Sequence, residues 1–287
     1  MRVIRVLAPN PGIRELEGTN TWVIGDPPAV VIDPGPDIPE HLREVLRTAG
    51  RIGVIVLTHD HPDHAPGAVR LASSSGARVL AARPADGIER LRDGAIAEAG
   101  DVALDVVATP GHSPDHLAFF ERGTRALFTG DAVLGRGTSV VDPPEGDLVA
   151  YLRSLRRMLE LRPRTIYPGH GPVALNASAK LEEYLEHRAM REEQVLSALA
   201  EGPRTQAEMV ASIYEGYAPE VLALAERSVL AHLLKLESEG RVDKRTRDGE
   251  VRWSRIEPRR CARCGRPVRG HARLCSVCSL AVLQESN

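Results

Sequence analysis

The stretch THDHPDH, residues 58–64, places three histidines and two aspartates within seven positions, directly after the apolar run IGVIVL. A lone histidine in a polar loop is most often a surface residue, so the stretch is informative only if other metal-capable side chains occupy comparable positions. Three do: His112 lies in TPGHSPDH, Asp131 in FTGD and His170 in YPGHG, and each follows an apolar run typical of a strand. Because side chains at the ends of neighbouring strands meet at one sheet edge, the sequence predicts a single shared site.

The predicted site combines five imidazoles with two carboxylates. These are the nitrogen and oxygen donors that zinc takes in open, catalytic sites, and iron or manganese would also fit them. Seven donors are too many for one tetrahedral ion, so they predict two ions with one bridging carboxylate and a shared water. The candidate ligands are His59, His61, Asp63, His64, His112, Asp131 and His170.

Four motifs in order, THDHPDH, TPGHSPDH, FTGDAVLG and IYPGHGPV, resemble the metallo-β-lactamase fold superfamily. The resemblance implies an α/β protein with an αββα sandwich and a dinuclear zinc site, acting as a metallo-hydrolase. It implies that the ligands of the first ion are His59, His61 and His112. It implies that those of the second ion are Asp63, His64 and His170, with Asp131 bridging the two.

A closer resemblance covers residues 3–257 and rests on NPGIRELEGTNTWVIG, on LGRGTSVVDPPEGDLVAYLRSL and on the helical segment that follows residue 177. These stretches are similar to the β-lactamase-like-protein-2 family, which implies an endoribonuclease that cuts single-stranded RNA. The cysteine-rich end of the chain lies outside this resemblance.

The predicted chemistry is hydrolysis by a metal-bridging hydroxide, because a bound metal lowers the pKa of water from about 15.7 to near 7. Asp63 is the candidate to orient this hydroxide and to take a proton. His116, four residues after His112, is a second catalytic candidate. It would either bond a substrate oxygen or support the site from behind its ligands.

Several residues near these motifs have two interpretations. In LGRGT, residues 134–138, Arg136 and Thr138 are candidate substrate contacts, but an ordinary glycine turn with a solvated arginine fits the pattern equally. Trp22 would either stack on a base or pack in the core. Asp60 fits a solvated or helix-capping group. The histidines in helical patterns, for which we predict surface or packing roles, are His41, His187 and His232.

The distribution of helix-like and strand-like patterns along the sequence predicts three domains. Residues 1–177, the catalytic domain, alternate helix patterns such as PEHLREVLRTAG and GDLVAYLRSLRRMLELRP with short strand-like runs. Residues 178–257 carry three helical stretches and a hairpin at Asp248-Gly249, the order of a small winged-helix-like α+β domain; a plain helical extension is the alternative. Residues 258–287 form a short tail. The strand-like runs are RVIRVLA, NTWVIG, AVVID, VIVLTH, RVLAA, LDVVAT, LAFFE, ALFTG and TIYPG.

The tail holds all 4 cysteines, in CARCGRPVRGHARLCSVC. Their Cys-x2-Cys-x10-Cys-x2-Cys spacing is typical of a zinc ribbon or knuckle, so we predict a zinc-ribbon-like tail with one structural zinc. Free or redox-active thiols are the alternative. The predicted ligands are Cys261, Cys264, Cys275 and Cys278.

The formal net charge of -2 excludes a uniformly basic nucleic-acid coat but allows local basic patches. Basic residues cluster in the predicted wing and tail, where they would bind phosphates or simply be solvated. No apolar run has the length of a secretory signal or a membrane span, so we expect a cytoplasmic protein with no membrane partner.

Three functions fit these patterns. The favoured one is cleavage of single-stranded RNA, although the aromatic content of 3% argues against it because such strands are commonly held by stacking. The second is a glyoxalase II-like thioesterase of the hydroxyacylglutathione hydrolase type, which needs only a different pocket for a small ester or thioester. The third is a nucleic-acid- or protein-binding module with a sensory metal domain. Mixed charge along AERSVLAHLLKLE favours a substrate lid or a homodimer contact over reading of DNA.

Overall fold

The computed structural model describes residues 1–247, 249–257, 259–261, 263–264 and 267–268. In chain order the elements are β1 (Val3–Leu7), β2 (Asn20–Ile24), β3 (Ala29–Ile32), α1 (Pro39–Ala49), β4 (Ile52–Val56), α2 (Gly67–Ser75), β5 (Arg78–Ala81), β6 (Ile88–Arg90), β7 (Ile96–Ala99), β8 (Val102–Ala108), β9 (Leu117–Glu121), β10 (Ala126–Gly130), α3 (Leu148–Glu160), β11 (Thr165–Pro168), α4 (Ala177–Ala198), α5 (Gln206–Ile213), α6 (Pro219–Ser238), β12 (Val242–Arg247), β13 (Glu250–Arg255), β14 (Arg259–Arg260) and β15 (Pro267–Val268).

The first compact unit, Met1–Arg188, contains two β-sheets. One sheet has six strands in the order β1-β2-β3-β4-β5-β6, and the other has five in the order β11-β10-β9-β8-β7. Apolar side chains of both sheets form one buried cluster, which includes Ile32, Val56, Leu104 and Phe119. The core of the unit is therefore the layer between the two sheets.

Strand β3 illustrates how the sequence forms these layers. Val30 and Ile32 belong to the cluster between the sheets, whereas Ala29 and Val31 belong to a second cluster that includes Leu42 of α1. Successive side chains of a strand point to opposite faces, so a strand that is covered on both faces needs an unbroken apolar run. Helices α1 and α2 thus cover the outer face of the six-stranded sheet.

Helix α3 is tied to the other sheet through the end of β8. Ser154 Oγ donates to Pro110 O at 2.8 Å, and Arg157 Nη1 donates to Ala108 O at 3.1 Å. The predicted αββα sandwich is confirmed, and all the strand-like runs of the first domain form strands. Helix α2 and strands β6 and β7 were not predicted.

The second compact unit begins at Ala189, inside α4. The last turns of α4 pack with α5, α6 and the antiparallel hairpin of β12 and β13 around Met209, Leu233 and Trp253. Helix α5 starts with a reciprocal cap, because Thr205 Oγ1 accepts from Glu208 N at 3.1 Å while the Glu208 carboxylate accepts from Thr205 N at 2.8 Å. The predicted winged-helix order of three helices and a hairpin is confirmed.

The exact domain bounds stay a prediction. Most of the predicted tail, residues 258–287, lies outside the described residues. Within the part of the chain that the structure describes, no helix combines the length and the apolar character needed to cross a membrane.

Candidate metal centre

Four strand ends bring the candidate ligands together. The stretch THDHPDH follows β4, and His112, Asp131 and His170 lie beyond the last residues of β8, β10 and β11. Strands β10 and β11 are parallel, so Asp131 and His170 leave the sheet at the same edge. A side chain at Gly169 would place its Cβ 2.6 Å from Asp131 Oδ1, so only glycine allows the β11 loop to approach this closely.

The first donor group consists of His59, His61 and His112, each of which offers one nitrogen within 4.8 Å of the others. His112 Nε2 and His61 Nδ1 face each other at 3.2 Å. His59 is 2% exposed, and its Nε2 is a buried atom with no hydrogen-bond partner. Three imidazole nitrogens therefore converge on one point.

The second donor group lies beside the first and combines Asp63, His64, Asp131 and His170, also within 4.8 Å. His64 Nε2 and His170 Nε2 are 3.2 Å apart. Asp63 Oδ2 lies 3.0 Å from His170 Nε2 and 3.3 Å from His64 Nε2. Two nitrogens and two carboxylates thus point at a common centre.

Asp131 connects the two groups. Its Oδ1 lies 3.4 Å from His64 Nε2 and 3.3 Å from His170 Nε2, whereas its Oδ2 lies 3.7 Å from His112 Nε2. One oxygen therefore faces each group, as a bridging carboxylate would.

The Nδ1 atoms of three ligand histidines are fixed by acceptors outside the two groups. His112 Nδ1 donates to Val140 O at 2.7 Å, and His170 Nδ1 donates to Gly18 O at 3.1 Å. His64 Nδ1 is 2.9 Å from the carboxylate of Asp33. A proton held on Nδ1 leaves the lone pair on Nε2, the arrangement that metal-binding histidines need.

The electrostatics of the second group match a divalent cation. Burial would lower the pKa of His170, but the charge of Asp131 and hydrogen bonds with Asp131 and Asp63 raise it to about 10. Burial would also lower the pKa of His64, yet the charges of Asp131, Asp33 and Asp63 raise it well above its usual value. The carboxylates of this group thus favour positive charge at this point, which a bound cation would supply.

The first group differs because burial dominates there. Burial lowers the pKa of His59 well below its usual value and also lowers that of His112. Both rings are therefore neutral near pH 7 and keep a lone pair for a cation. A buried polar atom without a partner, such as His59 Nε2, costs roughly 1–3 kcal/mol, and a bound cation would remove that cost. Both groups fit metal ions by their chemistry.

His116 lies behind the ligands. It is 1% exposed, its Nδ1 is 2.8 Å from Thr109 Oγ1, and its Nε2 accepts from the backbone N–H of Asp131 at 3.1 Å. Burial, followed by the charge of His112, holds its pKa well below the usual value, so the ring is neutral. Because both nitrogens are engaged within the fold, the structure favours a supporting role over a bond to a substrate oxygen.

The loop predicted to contact substrate lies against a ligand loop. Gly135 N donates to His170 O at 2.9 Å. Arg136 is exposed and its Nη2 pairs with Glu17 Oε1 at 2.7 Å, while Thr138 is partly buried. Contact of Arg136 and Thr138 with a substrate stays a prediction.

Trp22 packs in the core. It is 3% exposed, and its Nε1 donates to Pro168 O at 3.0 Å. The alternative prediction of a base-stacking platform is therefore wrong, because the ring is covered by both sheets.

The remaining candidates occupy positions outside the two donor groups. Asp60 is an exposed partner of Arg83 at 2.7 Å, not a helix cap. Of the histidines in helices, His41 and His232 are buried and His187 is partly buried. In the tail, Cys261 is buried and Cys264 is exposed, whereas Cys275 and Cys278 lie outside the described residues.

Two residues that hold the ligands in place, Asp33 and Asn20, were not predicted as part of the site. Asp33 accepts hydrogen bonds from Thr58 N and Thr58 Oγ1, each at 2.7 Å. Asn20 Nδ2 donates to Pro168 O at 3.0 Å and to Gly171 O at 2.9 Å, which fixes the loop of His170. The available signal for Asp33 was an acidic residue directly after the apolar run AVVI, the same placement that marked the ligands.

Comparison with known proteins identifies two families. The profile of the Metallo-beta-lactamase superfamily matches residues 14–170, and that of the Beta-lactamase associated winged helix domain matches residues 205–253. A lactamase-like protein of Penicillium aethiopicum is 40% identical over 210 residues, which cover 69% of this chain and 66% of that protein. The chain spans 63% and 62% of the length of two further lactamase-like relatives.

Solved structures share the fold. A beta-lactamase domain protein from Burkholderia ambifaria has a TM-score of 0.77 at 23% identity, over 88% of this chain and 91% of that one. TTHA1623, solved in a di-iron-bound form, has a TM-score of 0.50 at 27% identity, over 61% of this chain and 96% of that one.

The fold is an αββα sandwich that gathers histidine and aspartate donors, able to hold metal ions, at one edge of its sheets. The chain belongs to the metallo-β-lactamase superfamily and carries its associated winged-helix domain.

Proposed function

We propose that this hydrolase cleaves phosphodiester bonds of single-stranded RNA and that it uses two divalent ions, zinc or, alternatively, iron or manganese. The observation that carries the proposal is the pair of adjacent donor groups that share Asp131. The di-iron form of TTHA1623 supports iron as an alternative to zinc.

In this proposal His59, His61 and His112 hold one ion, Asp63, His64 and His170 hold the other, and Asp131 serves both. Two such ions would lower the pKa of a bound water to near 7 and stabilise negative charge on a phosphoryl oxygen.

The protein's own groups would orient the reaction. Asp63 has the more exposed carboxylate of the second group, at 21% against 13% for Asp131. Its Oδ2 makes the contacts with His64 and His170, so Oδ1 is the atom that would take a proton from the attacking water. His116 would hold the backbone of Asp131 in place from behind.

RNA as the substrate is supported by three observations. The sequence resembles the β-lactamase-like-protein-2 family over both domains, and the winged-helix domain is a module that other proteins use to bind nucleic acid. Arg14 and Arg136, both largely exposed, lie in the loops that precede Gly18 and follow Asp131, where a phosphate backbone would pass.

A specific observation favours a second candidate, hydrolysis of a small ester or thioester. Among the described residues, Tyr217 is the one tyrosine, tryptophan or phenylalanine that is largely exposed, at 50%. The described part of the first unit therefore has no exposed aromatic platform on which bases would stack. A glutathione-type thioester needs no such platform.

The decisive experiment gives the same metal-loaded preparation an end-labelled single-stranded RNA and, separately, a hydroxyacyl thioester of glutathione. His61→Ala, prepared and loaded identically, is the control. RNA cutting by the parent and not by the variant would support the nuclease. Thioester turnover without RNA cutting would reject it in favour of the second candidate.

A further inference from the structure

A second polar pocket, of about 610 Å³, opens on the first unit away from the candidate metal centre. Its wall includes Arg125, Arg162 and Arg164, together with Asn176 and Ser178. Arg125 directly precedes β10 and Arg164 directly precedes β11, whereas Asp131 and His170 follow these strands. Since a residue of a strand spans about 3.3 Å, the five residues of β10 separate the pocket from the metal centre by about 17 Å.

The three arginines carry uncompensated charge. All are exposed, and within the described residues none of them forms an ion pair with a carboxylate. The carboxylate of Glu121 lies beside the pocket, where it accepts from the backbone N–H groups of the lining residues Gly123 and Thr124, each at 2.7 Å, and forms no ion pair with the three arginines. Most other exposed arginines of this unit do form an ion pair with a carboxylate. Arg70, for example, pairs with Asp37 at 2.5 Å.

Hydrogen bonds to backbone carbonyls link Arg125 with Arg162 and Arg164. Arg125 Nη2 donates to Arg162 O, and Arg164 N donates to Arg125 O at 2.8 Å. Arg125 and Arg162 have φ values of 59° and 51°, in the left-handed region that favours glycine or asparagine. Backbone strain of this kind persists only where the surrounding structure enforces it, and here both strained residues line the same pocket.

The start of helix α4 adds a second source of positive potential. Asn176 Oδ1 accepts from Ala179 N at 3.2 Å, and Asn176 and Ser178 line the pocket. The N-terminus of a helix carries a partial positive charge and free backbone N–H groups. Planar guanidinium groups match the oxygens of a phosphate.

We propose that this pocket binds phosphate groups, those of a nucleic-acid strand or of a small phosphorylated molecule. The pocket and the metal centre lie at opposite ends of β10, so a bound phosphate would leave the hydrolytic site open. The site is independent of the proposed RNA cleavage, because its chemistry requires only a phosphate.

The test measures binding of pyrophosphate by calorimetry and of a short fluorescein-labelled single-stranded RNA by anisotropy. The full chain is used, with His61→Ala in the RNA arm so that the probe stays intact. R125Q/R162Q/R164Q is compared with the control R51Q/R90Q/R92Q, which removes the same number of charges. The control arginines are exposed, lie outside the pocket lining and form no ion pair within the described residues.

The pocket variant is expected to lose about tenfold or more in pyrophosphate affinity, whereas the control variant keeps the parent value. If RNA occupies the pocket, the slope of log affinity against log salt for RNA falls by about 2, because three phosphate contacts are lost. Loss of pyrophosphate binding with an unchanged RNA slope assigns the pocket to a small phosphorylated ligand. Unchanged binding of both probes overturns the proposal.

A second variant separates binding from folding. R125G/R162G places glycine where φ is positive, so it removes two charges while relieving backbone strain. It is expected to melt no lower than the parent and still to bind pyrophosphate more weakly. Parent-like binding by this stable variant would also overturn the proposal. If the parent protein fails to cut RNA, the proposed function is rejected, but the pyrophosphate result still stands. The two proposals can therefore fail separately.

Discussion

Asp33 directly follows β3, and it is 1% exposed. Both oxygens of its carboxylate are engaged by neighbouring residues. Oδ1 accepts from Thr58 N, and Oδ2 accepts from Thr58 Oγ1 and lies 2.9 Å from His64 Nδ1. Thr58 Oγ1 is in turn 2.9 Å from Nδ1 of His59. One buried side chain therefore orients a histidine of each donor group.

Asp33→Asn is predicted to weaken metal binding without unfolding the protein. The amide N–H of asparagine would oblige His64 Nδ1 to accept, which moves the ring proton to Nε2, the atom that faces Asp131. Changes to such supporting residues cost about 10- to 100-fold in metal affinity. The measurement is a Co²⁺ titration followed by absorption spectroscopy.

The control for this titration is Asp60→Asn. It makes the same chemical change inside THDHPDH, but at an exposed side chain that pairs with Arg83 at 2.7 Å. Equal Co²⁺ affinity for Asp33→Asn and Asp60→Asn would show that Asp33 does not orient His64.

Asp131→Ala is predicted to abolish turnover and to lower the metal content. The carboxylate faces both donor groups, so its removal affects both ions, and turnover should fall by at least about a hundredfold. Metal content is measured by mass spectrometry and turnover on the substrate that the parent hydrolyses. An active variant with unchanged metal content would falsify the dinuclear assignment.

At the scale of elements, the strands and the donors were predictable for the same physical reason. Runs such as AVVID and VIVLTH are apolar without a break because both faces are buried, and the polar residue that ends each run marks a sheet edge. Trp22 is different, because sequence alone gives no exposed fraction. Only the packing around its ring shows that it cannot serve as a platform.

The elements that were missed have weak local patterns. Helix α2, GAVRLASSS, ends in three serines, residues with modest helix propensity, and their hydroxyls donate to carbonyls one turn earlier. Tertiary burial of Ala68 and Leu71 holds this helix. Strand β6 has three residues, of which Glu89 and Arg90 are exposed, so it has no apolar alternation to detect.

Helix α1 leads to a prediction about acid stability. His41 is 4% exposed, lies 2.9 Å from Thr21 Oγ1, and has a pKa that burial lowers from its ordinary value of 6.5. The unfolded chain binds the proton more readily, so this group's contribution is present above pH 6.5 and is lost as the pH falls toward the lowered pKa. His41→Gln should therefore lose less stability than the parent between pH 7 and pH 5.

Urea unfolding of both proteins at the two pH values checks this, with a chelator present throughout so that metal release does not contribute. For each protein, the change in the free energy of unfolding between pH 7 and pH 5 is determined. The change in His41→Gln is then compared with the change in the parent. An equal loss in both would mean that His41 does not titrate in this range.

At the scale of the whole molecule, charge is arranged differently in the two units. Four basic residues of the wing hairpin, β12 and β13, are paired locally, which reduces their attraction for phosphate. These pairs are Lys244 with Glu237, Arg245 with Asp243, Arg252 with Glu250 and Arg255 with Glu257. Among the described residues, the first unit contains exposed arginines without an ion pair, such as Arg125, Arg162 and Arg164, whose charge is more available to a phosphate than that of the paired wing residues.

The cysteine-rich tail, residues 258–287, leads to a prediction about zinc content. Its two Cys-x-x-Cys pairs predict a closed four-thiolate zinc site, which would fold a segment too short for an apolar core. Changing Cys275 and Cys278 to serine should remove close to one zinc per chain, because two of four ligands are lost. Since the donors of the first unit are histidines and aspartates, they should stay loaded and turnover should persist. Zinc per chain is counted by mass spectrometry, with Asp131→Ala as the reciprocal control; an unchanged count in the cysteine variant would leave the tail without a metal role.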